Sequence, residues 1–214
     1  MKHLIYTLIT LFLLASCQQE DLPTVGESIG YLSLEDIQIQ AAEVETVQTR
    51  AVDNDLYVEI WQNGNLYGEH EYAPGKVPAK IELPVGTYTL KTYNTEAYVA
   101  GEPWYYGEQE FSIAEGKVNY LSYEVPLKNF GVKLQLPEGF EELFDKIEFS
   151  VGDQDLTDGV PYYFPPETTS ISYTLKATNE DGDEQTDNGT TSVTAGKLYT
   201  ITYSFETKAL VLVP

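Results

Sequence analysis

The sequence predicts an all-β chain built from two tandem β-sandwiches, and three observations predict it. Short runs of alternating apolar and polar residues, rich in Val, Ile, Thr and Tyr, recur along the chain and are separated by Gly, Pro and Asn turn signals. No segment sustains a helical period. Four blocks of the first half recur, in the same order, in the second.

Gly30 to Leu34 aligns with Gly131 to Gln135 at an offset of 101 residues. Val58-Glu59-Ile60 aligns with Ile147-Glu148-Phe149 at 89, and Tyr88 to Lys91 with Tyr173 to Lys176 at 85. Gly116-Lys117, Leu121 and Tyr123 align with Gly196-Lys197, Ile201 and Tyr203 at 80. The offset only falls, as strands of fixed length joined by shorter loops would require. Each copy has the size of a small seven-stranded sandwich. The expected division is a signal peptide over 1–16, a lipidated tether over 17–28, an N-terminal sandwich over 29–128 and a C-terminal sandwich over 129–214.

The elements follow in order. Tyr31, Leu32, Leu34, Ile37 and Ile39 mark a first strand, and the polar stretch 41–55 reads as a long connection. Leu56 to Trp61 alternates as a strand, Asn63-Gly64 turns the chain, and Leu66 to Tyr72 returns. Ile81 to Leu83 and Thr87 to Lys91 are two short strands flanking Pro84-Val85-Gly86, whose residue types suit a tight reversal. Asn94 to Gly107 is a loop carrying Trp104-Tyr105-Tyr106. Strands over 110–113 and 118–125 flank Glu115-Gly116-Lys117 before the pattern restarts, and Phe140 to Phe144 suits one helical turn.

The start of the chain says where it is held. Lys2 and His3 precede an apolar run from Leu4 to Leu14, too short to span a bilayer permanently. Leu14-Ala15-Ser16-Cys17 resembles the lipobox of bacterial lipoproteins, which implies acylation of Cys17 and cleavage before it. Cys17 is the only cysteine, so no disulfide forms within the chain. After cleavage 11 basic and 34 acidic residues remain, a net charge of −23 that excludes nucleic acid and polybasic membrane attachment. The membrane partner is therefore reached through the lipid. Gln18-Gln19-Glu20-Asp21 resembles the signal that carries Bacteroidetes lipoproteins to the outside of the outer membrane, the expected location.

Leu83-Pro84-Val85-Gly86-Thr87-Tyr88-Thr89-Leu90 resembles a motif of transthyretin-like (immunoglobulin-like) sandwich modules, which implies that Tyr88 and Leu90 are core residues. Thr49-Arg50-Ala51-Val52, Ile81 to Lys91, Pro103 to Gly107 and Phe111 to Lys117 resemble a family of Bacteroidetes cell-surface lipoproteins whose domain has no known function. More remotely the chain is similar to fimbrillins and pilus-anchoring lipoproteins. That resemblance implies a structural or adhesive role, and it places a candidate protease cut at Arg50-Ala51. The chain is short for a pilus shaft subunit.

Catalytic chemistry finds little to use. Beyond the signal peptide there is one histidine, His70, read as a surface loop residue, and no nucleophile signature beside it. One imidazole and no free thiol exclude an ordinary zinc site. With 34 acids, carboxylate pairs are inevitable and do not identify a glycosidase. The clusters Asp153, Asp155, Asp158-Gly159 and Glu180, Asp181, Asp183, Glu184, Asp187 have calcium-type oxygens without EF-hand spacing, so a solvated acidic turn competes with a calcium site. No catalytic, metal or cofactor site is expected. Trp61, Tyr98, Trp104, Tyr105 and Tyr106 leave two readings open: core or loop packing, and an aromatic platform for a sugar. A non-enzymatic structural or adhesive (fimbrillin-like) role, with a protein or glycan as surface partner, leads. The alternative is a glycan-binding lipoprotein using the Trp104-Tyr105-Tyr106 loop.

Overall fold

Alternation of buried and exposed residues sets the architecture strand by strand, because successive side chains on a strand point to opposite faces. The computed structural model describes residues 28–39 and 55–213. Cys17, the signal peptide and Arg50 lie outside the described residues. The first half holds β1 (Ile29–Ile39), β2 (Tyr57–Gln62), β3 (Asn65–Tyr72), β4 (Ile81–Pro84), β5 (Gly86–Tyr93), β6 (Tyr106–Ile113) and β7 (Val118–Val125). The second holds β8 (Phe130–Gln135), β9 (Lys146–Val151), β10 (Gln154–Asp155), β11 (Tyr162–Phe164), β12 (Ser170–Thr178), β13 (Glu184–Ser192), β14 (Leu198–Ser204) and β15 (Ala209–Val213). Among the described residues there is no helix.

Each half is a sandwich of two sheets. In the first, β4-β1-β7 faces β3-β2-β5-β6 across a cluster that includes Leu32, Ile37, Val58, Ile60, Leu83, Tyr88, Leu90 and Phe111. In the second, β11-β8-β14-β15 faces β10-β9-β12-β13 across Phe130, Val132, Leu134, Phe149, Leu175, Tyr199 and Ile201. The halves share one topology, and β15 is an addition with no counterpart among the described residues of the first. In both, the first strand runs parallel to the seventh: β1 to β7 and β8 to β14. A bulge in β1 between Leu34 and Asp36 explains why the buried positions run Leu32, Leu34, Ile37 instead of keeping a step of two.

The repeat is present with one change of register. Ile60 pairs with Leu90 and Phe149 with Leu175, as offsets of 89 and 85 require. The first block does not keep its offset of 101. The Tyr31 amide donates to the Lys117 carbonyl, and the Gly131 amide donates to the Lys197 carbonyl. Tyr31 is therefore equivalent to Gly131, an offset of 100, and Leu32 to Val132. The shift matters because one residue moves every side chain of a strand to the other face.

Three further expectations are corrected. Pro84-Val85-Gly86 is not a tight reversal. β4 pairs with β1 while β5 pairs with β2, so the segment carries the chain from one sheet to the other. The Tyr88 hydroxyl pins that corner by donating to the Pro84 carbonyl at 2.9 Å. Phe140 to Leu143 forms a hydrogen-bonded turn, not a helical one, and buries Phe140 in the core. Tyr106 and Gly107 belong to β6, so the loop ends one residue after Trp104.

Candidate interaction face

The outer face of β3-β2-β5-β6 is built in rows by strand pairing. Val58 and Ile60 point into the core, so Tyr57, Glu59 and Trp61 of β2 point outward. Pairing then aligns Tyr57 with Tyr93 and Tyr93 with Tyr106, giving a row of tyrosines across three strands. Their ring centroids lie 5.4 and 6.3 Å apart, with planes within 10° and 25° of parallel. The next row is charged: Glu71, Glu59, Lys91, Glu108. The third is Leu66, Trp61, Thr89, Glu110.

Hydrogen bonds tie the rows together. Tyr93 Oη and Trp61 Nε1 donate to the two oxygens of Glu59, both at 2.6 Å. Tyr106 Oη donates to Glu108 at 2.5 Å. The Lys91 ammonium lies 3.7 Å from the Trp61 ring centroid and 3.5 Å from Glu108. Burial, the Glu108 hydrogen bond and its charge push the Tyr106 hydroxyl up to about 12. Tyr93 is raised further, by burial first and Glu59 second. The Tyr106 bond and Lys91 hold Glu108 below the usual carboxylate range.

The three loop aromatics separate in role. The Trp104 amide donates to Asn129 Oδ1 at 3.0 Å, and its indole Nε1 donates to the Thr95 carbonyl at 3.1 Å. The Lys128 amide donates to the Trp104 carbonyl at 2.7 Å, and Tyr105 bridges to Leu127 while packing on the first core. Asn129, fully buried, also donates from Nδ2 to the Glu102 carbonyl at 2.9 Å. Tyr98 Oη and the Gly101 amide both donate to the Tyr163 carbonyl at 3.0 Å. This strap joins the halves. Tyr106 stands on the outer face, and the Trp104 ring lies beside it with centroids 6.4 Å apart.

Tyr57, Glu59, Lys91, Tyr93 and Glu108 were not singled out from the sequence. The available signal was the repeat. Glu59 and Lys91 recur as Glu148 and Lys176, which again face each other. The aromatics Tyr57, Trp61, Tyr93 and Tyr106 are replaced by Lys146, Ser150, Thr178 and Glu184. Elsewhere, His70 lies in β3, half-buried, stacked on Tyr67 with Nδ1 2.7 Å from Tyr72 Oη. Burial lowers its pKa. Among the described residues no group of three or more His, Cys, Asp or Glu side chains is placed to hold a metal. Asp158 instead accepts from the Leu136 amide and Asp187 from the Leu210 amide.

Fold and face together define a tandem β-sandwich protein with an aromatic, carboxylate-lined outer sheet on its first half. The chain belongs to the family DUF4493, a domain of unknown function, whose model matches residues 28–211. That span takes in the segments Ile81 to Lys91, Pro103 to Gly107 and Phe111 to Lys117. Among solved structures the chain is similar to a candidate cell adhesion protein from Bacteroides uniformis ATCC 8492, with 14% identity over 89% of this chain and 96% of that one and a TM-score of 0.50. It is also similar to two candidate adhesins from Bacteroides ovatus. One has 10% identity over 92% of this chain and 95% of that one, with a TM-score of 0.36. The other has 11% identity over 78% and 83%, with a TM-score of 0.35. At these identities the likeness to the Bacteroides uniformis protein is one of fold. No curated protein matches the chain.

Proposed function

We propose that the chain is a non-enzymatic adhesive lipoprotein of the outer-membrane surface, anchored through Cys17 and making contact through the outer face of β3-β2-β5-β6. One observation carries the adhesive part. Four aromatics stand on this face, and the second half builds the same sheet without them. A packing requirement would recur in both copies; a feature confined to one copy is where function is added. The cell adhesion named for the Bacteroides uniformis protein agrees with this role. The anchor rests on Leu14 to Cys17 and the acidic residues after them.

Cells making the parent chain, Cys17→Ala or Tyr57→Ala test both parts. The measurements are fatty-acid labelling, proteolysis of intact cells, and attachment to supports coated with mucus or bacterial envelope. Cys17→Ala should lose label and surface exposure, and Tyr57→Ala should lose attachment alone. Equal label in Cys17→Ala and parent would sink the anchor. Undiminished attachment of a surface-exposed Tyr57→Ala would sink the contact face.

A further inference from the structure

We infer that the outer face of β3-β2-β5-β6 binds a neutral polysaccharide chain, laid along β2 from Tyr57 across Glu59 to Trp61. The inference rests on the reading of that face as the contact surface and names its ligand. Tyr57 and Trp61 are four residues apart, roughly 13 Å along an extended strand. Between them lies a row that holds acceptors at Glu59 and Glu108 and a donor at Lys91. A sugar chain presents this pattern in reverse. Its ring C–H faces are apolar, and its hydroxyls donate and accept.

The charges on the face weigh against anionic ligands. Glu59, Glu71, Glu108 and Glu110 surround one lysine, which repels uronates, sulfated glycans and nucleic acid. Lys91 lies over the Trp61 ring, 3.7 Å from its centroid, at the centre of the charged row, and offsets part of the carboxylate charge that would draw a basic peptide. A neutral polyol asks for neither an anion site nor a cation site. The carboxylates are also held before any ligand arrives, because Tyr93, Trp61 and Tyr106 fix their oxygens, so little ordering remains to be done on binding. Tyr57 is 37% exposed and able to meet a ligand without rearrangement.

The lipidated full chain in detergent micelles, titrated calorimetrically, provides the test. The probes are maltoheptaose, cellohexaose, mannohexaose and xylohexaose, with polygalacturonate and heparin as anionic comparisons. At least one neutral oligosaccharide should bind, and the anionic polymers should bind about tenfold more weakly or not at all. Tyr57→Ala, Trp61→Ala and Glu59→Gln should each weaken binding about tenfold or more. Tyr120→Ala, an exposed change on β7, should leave it unchanged. Glu59→Gln preserves shape, so it decides the matter if Trp61→Ala fails to fold. Failure of every neutral probe, preference for an anionic polymer, or unaltered binding by Tyr57→Ala and Glu59→Gln overturns the inference. If Tyr57→Ala cells lose attachment while no neutral glycan binds, the contact face survives and its partner is not a glycan. If glycan binds and attachment persists, the adhesive role falls and the sugar site stands.

Discussion

Thr92 is fully buried on the inward side of β5, and its hydroxyl has no hydrogen-bond partner. Desolvating a hydroxyl without compensation costs about 1–3 kcal/mol. Ala177 occupies the equivalent position of the second half, between Ile147 and Gln185, so the fold does not need the oxygen. Thr92→Val keeps the shape and should raise stability by about 1 kcal/mol in urea titration; a loss of stability would mean that the hydroxyl has a hidden partner. Tyr106 gives a second residue-scale test. Its folded pKa is raised to about 12 against roughly 10 in the unfolded chain. Its contribution is complete below pH 10 and is lost as pH rises through 12. The parent should therefore lose stability over that window more steeply than Tyr106→Phe, and parallel curves would refute this. Neither residue announces its role in the sequence. His70 shows why: a lone polar residue in a polar run reads as loop, yet ring contacts with Tyr67 and Tyr72 hold it in β3.

Elements were legible where periodicity was strong and illegible where glycine was the cue. Gly30 and Gly131 look like matching positions, yet each is glycine for its own local reason. A Cβ on Gly30 would press on the Ala114 carbonyl oxygen, and one on Gly131 would meet Leu198 and Tyr163. Each strand is pinned by a different neighbour, and identity of residue type concealed the one-residue shift. The Pro84 corner was misread for a related reason: Pro and Gly mark a change of direction, not which sheet the next strand joins. The strap over 94–106 was half legible, since its aromatics were visible and their bonds were not. Asn129→Ala leaves the Trp104 amide without its acceptor and should cost about 1–3 kcal/mol. Glu102→Ala should cost under about 0.5 kcal/mol, because only the Glu102 backbone carbonyl takes part. Equal effects from the two would mean that the strap is held by something else.

At the scale of the molecule, the two hydrophobic clusters run over 32–125 and 130–203. Leu90 and Leu175, 0% and 2% exposed, take the same place in each. Replacing either by Ala should cost about 2–5 kcal/mol. In hydrogen exchange the loss of protection should concentrate in the half that carries the change; an even loss over both halves would mean that they unfold as one unit. The tandem plan was readable because four blocks kept their order, and the core followed from the same alternation. The aromatic outer face was not, because its residues meet across strands that only the folded register brings together.

The parallel pairing of first and seventh strands has a mechanical consequence. A chain pulled from its two ends carries the tension through its terminal strands. Tension applied at Ile29 acts along β1, and the bonds to β7, spread over eight register pairs, are loaded together in shear. In a hairpin pulled from its two ends the bonds would break one at a time. The second half repeats the parallel pairing with five register pairs between β8 and β14, but β15, antiparallel to β14, lies between that pairing and the point where tension enters. Single-molecule stretching between the chain ends should give two separate ruptures, the five-pair half yielding at lower force than the eight-pair half. Rupture of the first half before the second would show that β1 is not the element that bears the load.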